Sequence, residues 1–338
     1  MRTGAIVRAG RHFVAPRRRA CARRATPGWP ACLAALVVLP AVASVILLTA
    51  GCGSASVALS GSLRVVATTT FLRDIAQNVA GSEFQVRGLI PVGMDPHTYE
   101  PTPREVAEVV GSDLLIENGA GLEGTLAATL KNAGGTERII AASSGLVSRT
   151  PKPGEPPLEN ASEPDPHFWL SPLLTVTYVN NIRDAFATAD PANAAVYDAN
   201  AASYGAQLRQ LDTWIRAQVA LIPIGRRKLV MDHLSHGYFA DAYGFQIVGA
   251  VIPSATAGDV VSAKQLTELV TAIERAGVKA IFVELGENAA LARQVAAEAR
   301  VTVITDLLDH SLTAPTGVAP TYLAMMRYDT ERIIGALK

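Results

Sequence analysis

Past residue 60 the chain contains five histidines, His97, His167, His233, His236 and His310. Three of them stand beside an aspartate in similar surroundings: Met94-Asp95-Pro96-His97, Asp165-Pro166-His167-Phe168-Trp169 and Val230-Met231-Asp232-His233. Neutral imidazole is a nitrogen donor for divalent transition metals, and a nearby carboxylate can orient the ring or join it as a ligand. Asp306, at the end of an apolar run, occupies a comparable place. Separations of 70, 66 and 73 residues between His97, His167, His233 and Asp306 exclude a local helical motif with two histidines four apart. Such ligands must come from different units of the fold. The three cysteines, Cys21, Cys32 and Cys52, all precede residue 53. The body therefore has neither a disulfide nor a thiolate site, and a metal there is held by nitrogen and oxygen.

The elements that position these residues alternate. Short β-branched runs at 63–67, 85–90, 114–117 and 138–141 are predicted strands, with helices at 72–79, from Pro103 and at 122–132 between them. Thr102 as N-cap and Pro103 in the first turn mark a helix start. Residues 148–166 carry six prolines without periodicity and form a loop. A helix of roughly 30 residues opens at Asp190-Pro191 and runs to about Leu221, a rod of about 45 Å. Strands at 228–231, 245–251, 280–284 and 301–305 then alternate with helices at 238–243, 263–276 and 289–299, and a last helix covers 321–337. The predicted fold class is α/β: two α/β lobes with mainly parallel sheets joined by one long helix, and the histidine separations suit a site assembled from both halves. The boundaries are 62–189 for the N-terminal lobe, 190–222 for the linking helix and 223–338 for the C-terminal lobe. Ligands of parallel sheets gather beyond the carboxyl ends of strands, where the Asp-His turns lie.

Charge and hydropathy organise the rest. Thirty basic side chains balance thirty acidic ones, but residues 1–52 hold eight arginines and no acid, leaving 22 positive against 30 negative in the body. That acidic balance argues against a nucleic-acid partner. An arginine-rich start, an apolar run over 31–50 and Leu48-Thr49-Ala50-Gly51-Cys52 have the order of an export signal ending in a lipobox, with Cys52 as the lipidation site and 53–61 as a tether. A retained membrane anchor is the alternative reading of the same run.

Several motifs together resemble one family: Pro96-His97-Thr98-Tyr99-Glu100-Pro101-Thr102-Pro103, Asn118-Gly119 with Leu122-Glu123, Asp165-Pro166-His167-Phe168-Trp169-Leu170, His233 with Tyr238 and Ala242-Tyr243-Gly244, Phe282-Val283-Glu284, Thr305-Asp306 and Tyr322-Leu323-Ala324-Met325-Met326. The chain resembles the metal-binding solute-receptor lipoproteins of zinc/manganese-type ABC importers, the cluster A-I family. The resemblance implies two α/β lobes joined by one long rigid helix and, in the cleft between lobes, one ion, Zn2+ or Mn2+, held by His97, His167, His233 and Asp306. It also implies delivery to an ABC permease, a monomer lipid-anchored on the extracytoplasmic face of the cell membrane, and no enzymatic activity. His233 at a position that varies between His and Glu puts zinc before manganese. Glu284 is expected to hydrogen-bond a ligating imidazole, His236 to pack or support the site, and His310 to be solvent-exposed. Tyr99, Phe168 and Trp169 are expected in the core or cleft wall. A metal-dependent hydrolase and a surface adhesin with incidental metal are the competing classes.

Overall fold

Two four-stranded sheets, every pairing parallel, divide the chain between them in a computed structural model. The described residues are 62–133, 138–157, 164–252 and 261–338, all within one compact unit, Ser56–Lys338. Cys52, the leader and the tether lie outside them. The first sheet comprises β1 (Val65–Ala67), β2 (Val86–Gly88), β3 (Leu114–Glu117) and β4 (Ile139–Ala141), in the order β2-β1-β3-β4. The second comprises β5 (Lys228–Met231), β6 (Gln246–Ala250), β7 (Ala280–Glu284) and β8 (Thr302–Leu307), in the order β6-β5-β7-β8. The two halves thus share one topology. In each, the order reverses direction between the two central strands, so the crevice for a ligand opens above β1/β3 and β5/β7.

The helices of the first half are α1 (Thr70–Ala80), α2 (Pro103–Val110) and α3 (Gly124–Ala133). Thr102 caps α2 in a reciprocal box with Glu105, and Pro103 begins the helix where a missing N–H is harmless. At the end of β3, Gly119 has φ +79°, and a Cβ there would stand 2.9 Å from Ala141 Cβ. Only glycine fits that turn. The turn lets Glu123 reach back and accept from Thr68 Oγ1 (2.7 Å), Asn118 N (2.6 Å) and Gly119 N (3.2 Å), tying the ends of β1 and β3 together. Burial raises this carboxyl to about 7.

Between the sheets run α4 (Pro172–Ala189) and α5 (Ala194–Val219), which pack along each other. The segment that forms α4 is not among the predicted elements. The long helix is also shorter at its start than expected, because Pro191–Asn193 form a 3-10 turn before it. Along α5, Tyr197, Ala201, Tyr204, Leu208, Leu211, Ile215 and Val219 recur at helical spacing, and all are buried. Each large side chain in this stripe contributes about 1.5–3 kcal/mol by leaving water.

The second half carries α6 (Gly237–Tyr243), α7 (Ala263–Ala276), α8 (Ala290–Ala299) and α9 (Tyr322–Leu337). α9 packs on α5 and touches α1 of the first half. Its first residue is held from there: Tyr322 N donates to Asp74 Oδ2 (2.9 Å) and Tyr322 Oη to the Trp169 carbonyl (2.5 Å). Among the described residues no helix is long and apolar enough to cross a membrane.

Candidate metal centre

Four loops converge where the sheets face each other. The first follows β2. Asp95 Oδ1 accepts from His97 N (2.8 Å) and Asp95 Oδ2 from Thr98 Oγ1 (3.0 Å), so the aspartate folds its own turn and presents His97. Tyr99 continues into the wall, its hydroxyl donating to Glu105 (2.8 Å). The second loop brings Asp165-Pro166-His167. There Asp165 Oδ1 takes both His167 N (3.0 Å) and His167 Nδ1 (2.8 Å). The third leaves β5, where Asp232 Oδ1 accepts from His233 N (2.8 Å) and Nδ1 (3.1 Å), while its Oδ2 accepts from Glu284 N (2.9 Å) across the switch point. The fourth leaves β8 and delivers His310, whose N and Nδ1 meet the Glu284 carboxylate at 2.9 and 2.7 Å.

The geometry corrects two expectations. Asp306 is not at the centre: its carboxylate accepts from Tyr328 Oη (3.0 Å) and pairs with Arg332 Nε (2.9 Å), both on α9. The cause lies in β8. Phe282 pairs with Ile304 and Glu284 with Leu307, so three residues of β8 span two of β7. This bulge keeps Asp306 within the strand and passes the strand exit to Asp309-His310. His310, expected in solvent, is buried, with 3% of its surface exposed. His236 is also buried, packed edge-on against Phe239, with its Nδ1 in a hydrogen bond to Ser235 Oγ (2.9 Å). It stands outside the imidazole group. Glu284 does bond an imidazole, that of His310. Phe168 and Trp169 are buried in the core.

One donor atom from each of His97, His167, His233 and His310 lies within 4.8 Å of the other three. The Nε2 atoms of His97 and His167 stand 3.3 Å apart. Zinc–nitrogen bonds of about 2.0–2.1 Å in a tetrahedron require donor separations of about 3.3–3.4 Å, so this edge is already set. In His167, His233 and His310 a carboxylate engages Nδ1, which holds the ring and leaves Nε2 free to ligate. The Nε2 atoms of His233 and His310 are buried without a partner among the described residues. A buried unpaired polar atom is costly, and a metal ion between the rings would satisfy both.

Electrostatics divides the four. Burial, then the neighbouring His310 and His233, holds His97 well below the ordinary histidine range. Burial and the adjacent imidazoles do the same to His167, and burial lifts its partner Asp165 to about 7. At His233 burial opposes the charge, but Asp232, Asp309 and Glu284 together outweigh it and raise the ring to about 10. His310 is likewise raised by Glu284 against its burial.

The fold has counterparts. The family model described as zinc-uptake complex component A, periplasmic, matches residues 65–336. The manganese-binding lipoprotein MntA of Halalkalibacterium halodurans is 30% identical over 294 residues, covering 86% of this chain and 95% of that protein. The Mn-bound periplasmic metal-binding protein from Candidatus Liberibacter asiaticus superposes with a TM-score of 0.72 at 27% identity, over 82% of this chain and 100% of that one. The periplasmic zinc-binding protein TroA from Treponema pallidum gives 0.73 at 26% identity, over 82% and 99%. The two-lobed α/β fold with its long helix is therefore that of known metal-binding proteins.

Proposed function

The chain belongs to the family of zinc-uptake complex component A, and from that premise we propose that it captures one divalent transition metal outside the cytoplasm and passes it to an ABC permease. The observation that carries this reading is the group of four imidazoles with mutually adjacent donor atoms, two of them buried and unpartnered. His97 and His167 come from the N-terminal lobe, and His233 and His310 from the C-terminal lobe, with residues 190–222 linking the two. Asp165, Asp232 and Glu284 orient the rings. Lipid attachment at Cys52 holds the receptor on the extracytoplasmic face of the membrane, as a monomer.

Zinc is the proposed cargo. Manganese predominates in the relatives' names, with iron and zinc also among them, so the donor set has to decide. Four neutral nitrogens with no carboxylate suit zinc, whereas manganese favours oxygen donors and a larger shell. Four side chains also fill a tetrahedral ion's coordination, leaving no position for an activated water, which speaks for capture over hydrolysis. Elemental analysis of protein purified from its native envelope tests the reading. One equivalent of zinc is expected. Manganese in its place, or no transition metal with no uptake on titration, would refute it.

A further inference from the structure

The segment 148–157, which leads from β4 toward the Asp165-Pro166-His167 turn, lies across the other half of the molecule. Arg149 is its anchor. Only 8% of the Arg149 side chain is exposed; its Nη2 donates to Glu155 Oε2 (2.6 Å) and its Nε to Asp241 Oδ2 (2.9 Å) on α6. Lys152 Nζ adds a second bond to Asp241 (2.6 Å), and Lys152 N holds the Glu155 carboxylate (2.9 Å). α6 begins on Gly237, where a Cβ would stand 2.6 Å from Arg149 Cδ and Nη1. The helix starts without a side chain so that the guanidinium arm can pass over it. Beneath lies a cavity of about 10 Å3 lined by Arg149, Glu155, Met231, His236 and Gly237, hardly room for one water. A guanidinium buried to this degree depends on its two carboxylates.

From this anchor a short chain of bonds leads to a metal-ligand candidate. Arg149 N donates to Tyr238 Oη (3.1 Å), Tyr238 Oη donates to the Asp165 carbonyl (2.8 Å), and Asp165 N donates to Ser148 Oγ (2.8 Å). Asp165 in turn holds His167 at both N and Nδ1. We propose that Arg149 is a positioning residue for metal capture: by clasping residues 148–155 to α6 it fixes Asp165, and through it the His167 ring. A ligand supplied by the N-terminal half is thereby set in place by a contact with the C-terminal half. The inference rests on the metal site proposed above.

The test uses the full chain loaded with Zn2+, following transfer of the ion to excess chelator. Arg149→Met should release zinc on the order of tenfold faster, the scale of losing a group that supports a ligand. Loaded with Co2+ instead, it should show an altered visible spectrum, because the tetrahedron is distorted. Arg149→Lys should recover part of both. Asp241→Asn, at a partly exposed partner, should act in the same direction more weakly, and it keeps the question answerable if Arg149→Met does not fold. Arg64→Met, which breaks the exposed Arg64–Asp113 pair, should match wild type. Folded Arg149→Met or Asp241→Asn protein with wild-type zinc release and an unchanged cobalt spectrum would overturn the inference alone. Wild-type protein that takes up neither ion would overturn the metal-site reading and this inference with it.

Discussion

The two halves supply the same number of imidazoles in different electrostatic states. On the N-terminal side, His97 and His167 sit on Asp-Pro-His turns, and burial keeps both rings below the ordinary histidine range. On the C-terminal side, His233 and His310 leave strand ends directly, and Asp232 and Glu284 raise both rings. One pair is ready to donate a lone pair at neutral pH; the other is biased toward its protonated form by the carboxylates beside it. The proton cost of binding then falls on the C-terminal rings more than on the N-terminal ones.

The largest test of that contrast removes one ligand from each side. His167→Ala and His310→Ala should each lower zinc affinity by more than about 100-fold, beyond the range typical of supporting residues. Competition titration against a chelator measures it, and near-normal affinity in His310→Ala would restore a carboxylate to the fourth position. The second test reads the protons. The ring of His233, raised to about 10, must lose its proton to bind, and His310 is shifted in the same direction, so affinity should fall on acidification by about tenfold per pH unit for each proton displaced. Calorimetry in buffers of different ionisation heat counts these protons. Glu284→Gln should reduce the count by letting His310 stay neutral; binding at neutral pH with no proton release would abolish the proposed asymmetry. The smallest effect belongs to Asp306→Asn. It breaks a half-exposed pair with Arg332, worth about 1 kcal/mol or less, and should lower thermal stability slightly while leaving metal affinity unchanged.

Much of this arrangement could be read from residue order. The strands of both sheets, the capped start of α2 and the turns bearing His97, His167 and His233 follow from β-branched runs, the Thr-Pro-Arg-Glu start and the Asp-His pairs. The helix α4 escaped because Thr175, Val176, Thr177 and Val179 form a β-branched run, and its helical state comes from packing between α5 and the first sheet. Asp306 was misplaced because a bulge has no local signature in Thr305-Asp306-Leu307-Leu308: only the pairing of β7 with β8 decides which residue clears the sheet. One signal was nevertheless present. Leu307-Leu308-Asp309-His310 repeats the pattern of Val230-Met231-Asp232-His233, two apolar residues and then Asp-His, in the equivalent crevice of the same half. The similarity ends at the aspartates, since Asp309 accepts from Ser235 Oγ (2.7 Å) and leaves its histidine to Glu284.

The docking of α9 onto the first half has a consequence for biogenesis. Tyr322 lies 248 residues beyond Asp74, its hydrogen-bond partner, and is synthesised after everything it touches in the first half. Early in its emergence the first half therefore lacks the helix that docks on α1, and closing a contact of that span is slow compared with forming a local turn. His310 stands only twelve residues before Tyr322 and belongs to the same late stage, so the four imidazoles meet only as the chain nears completion. On the function proposed above, an exported chain would take its ion from the compartment in which it finishes folding.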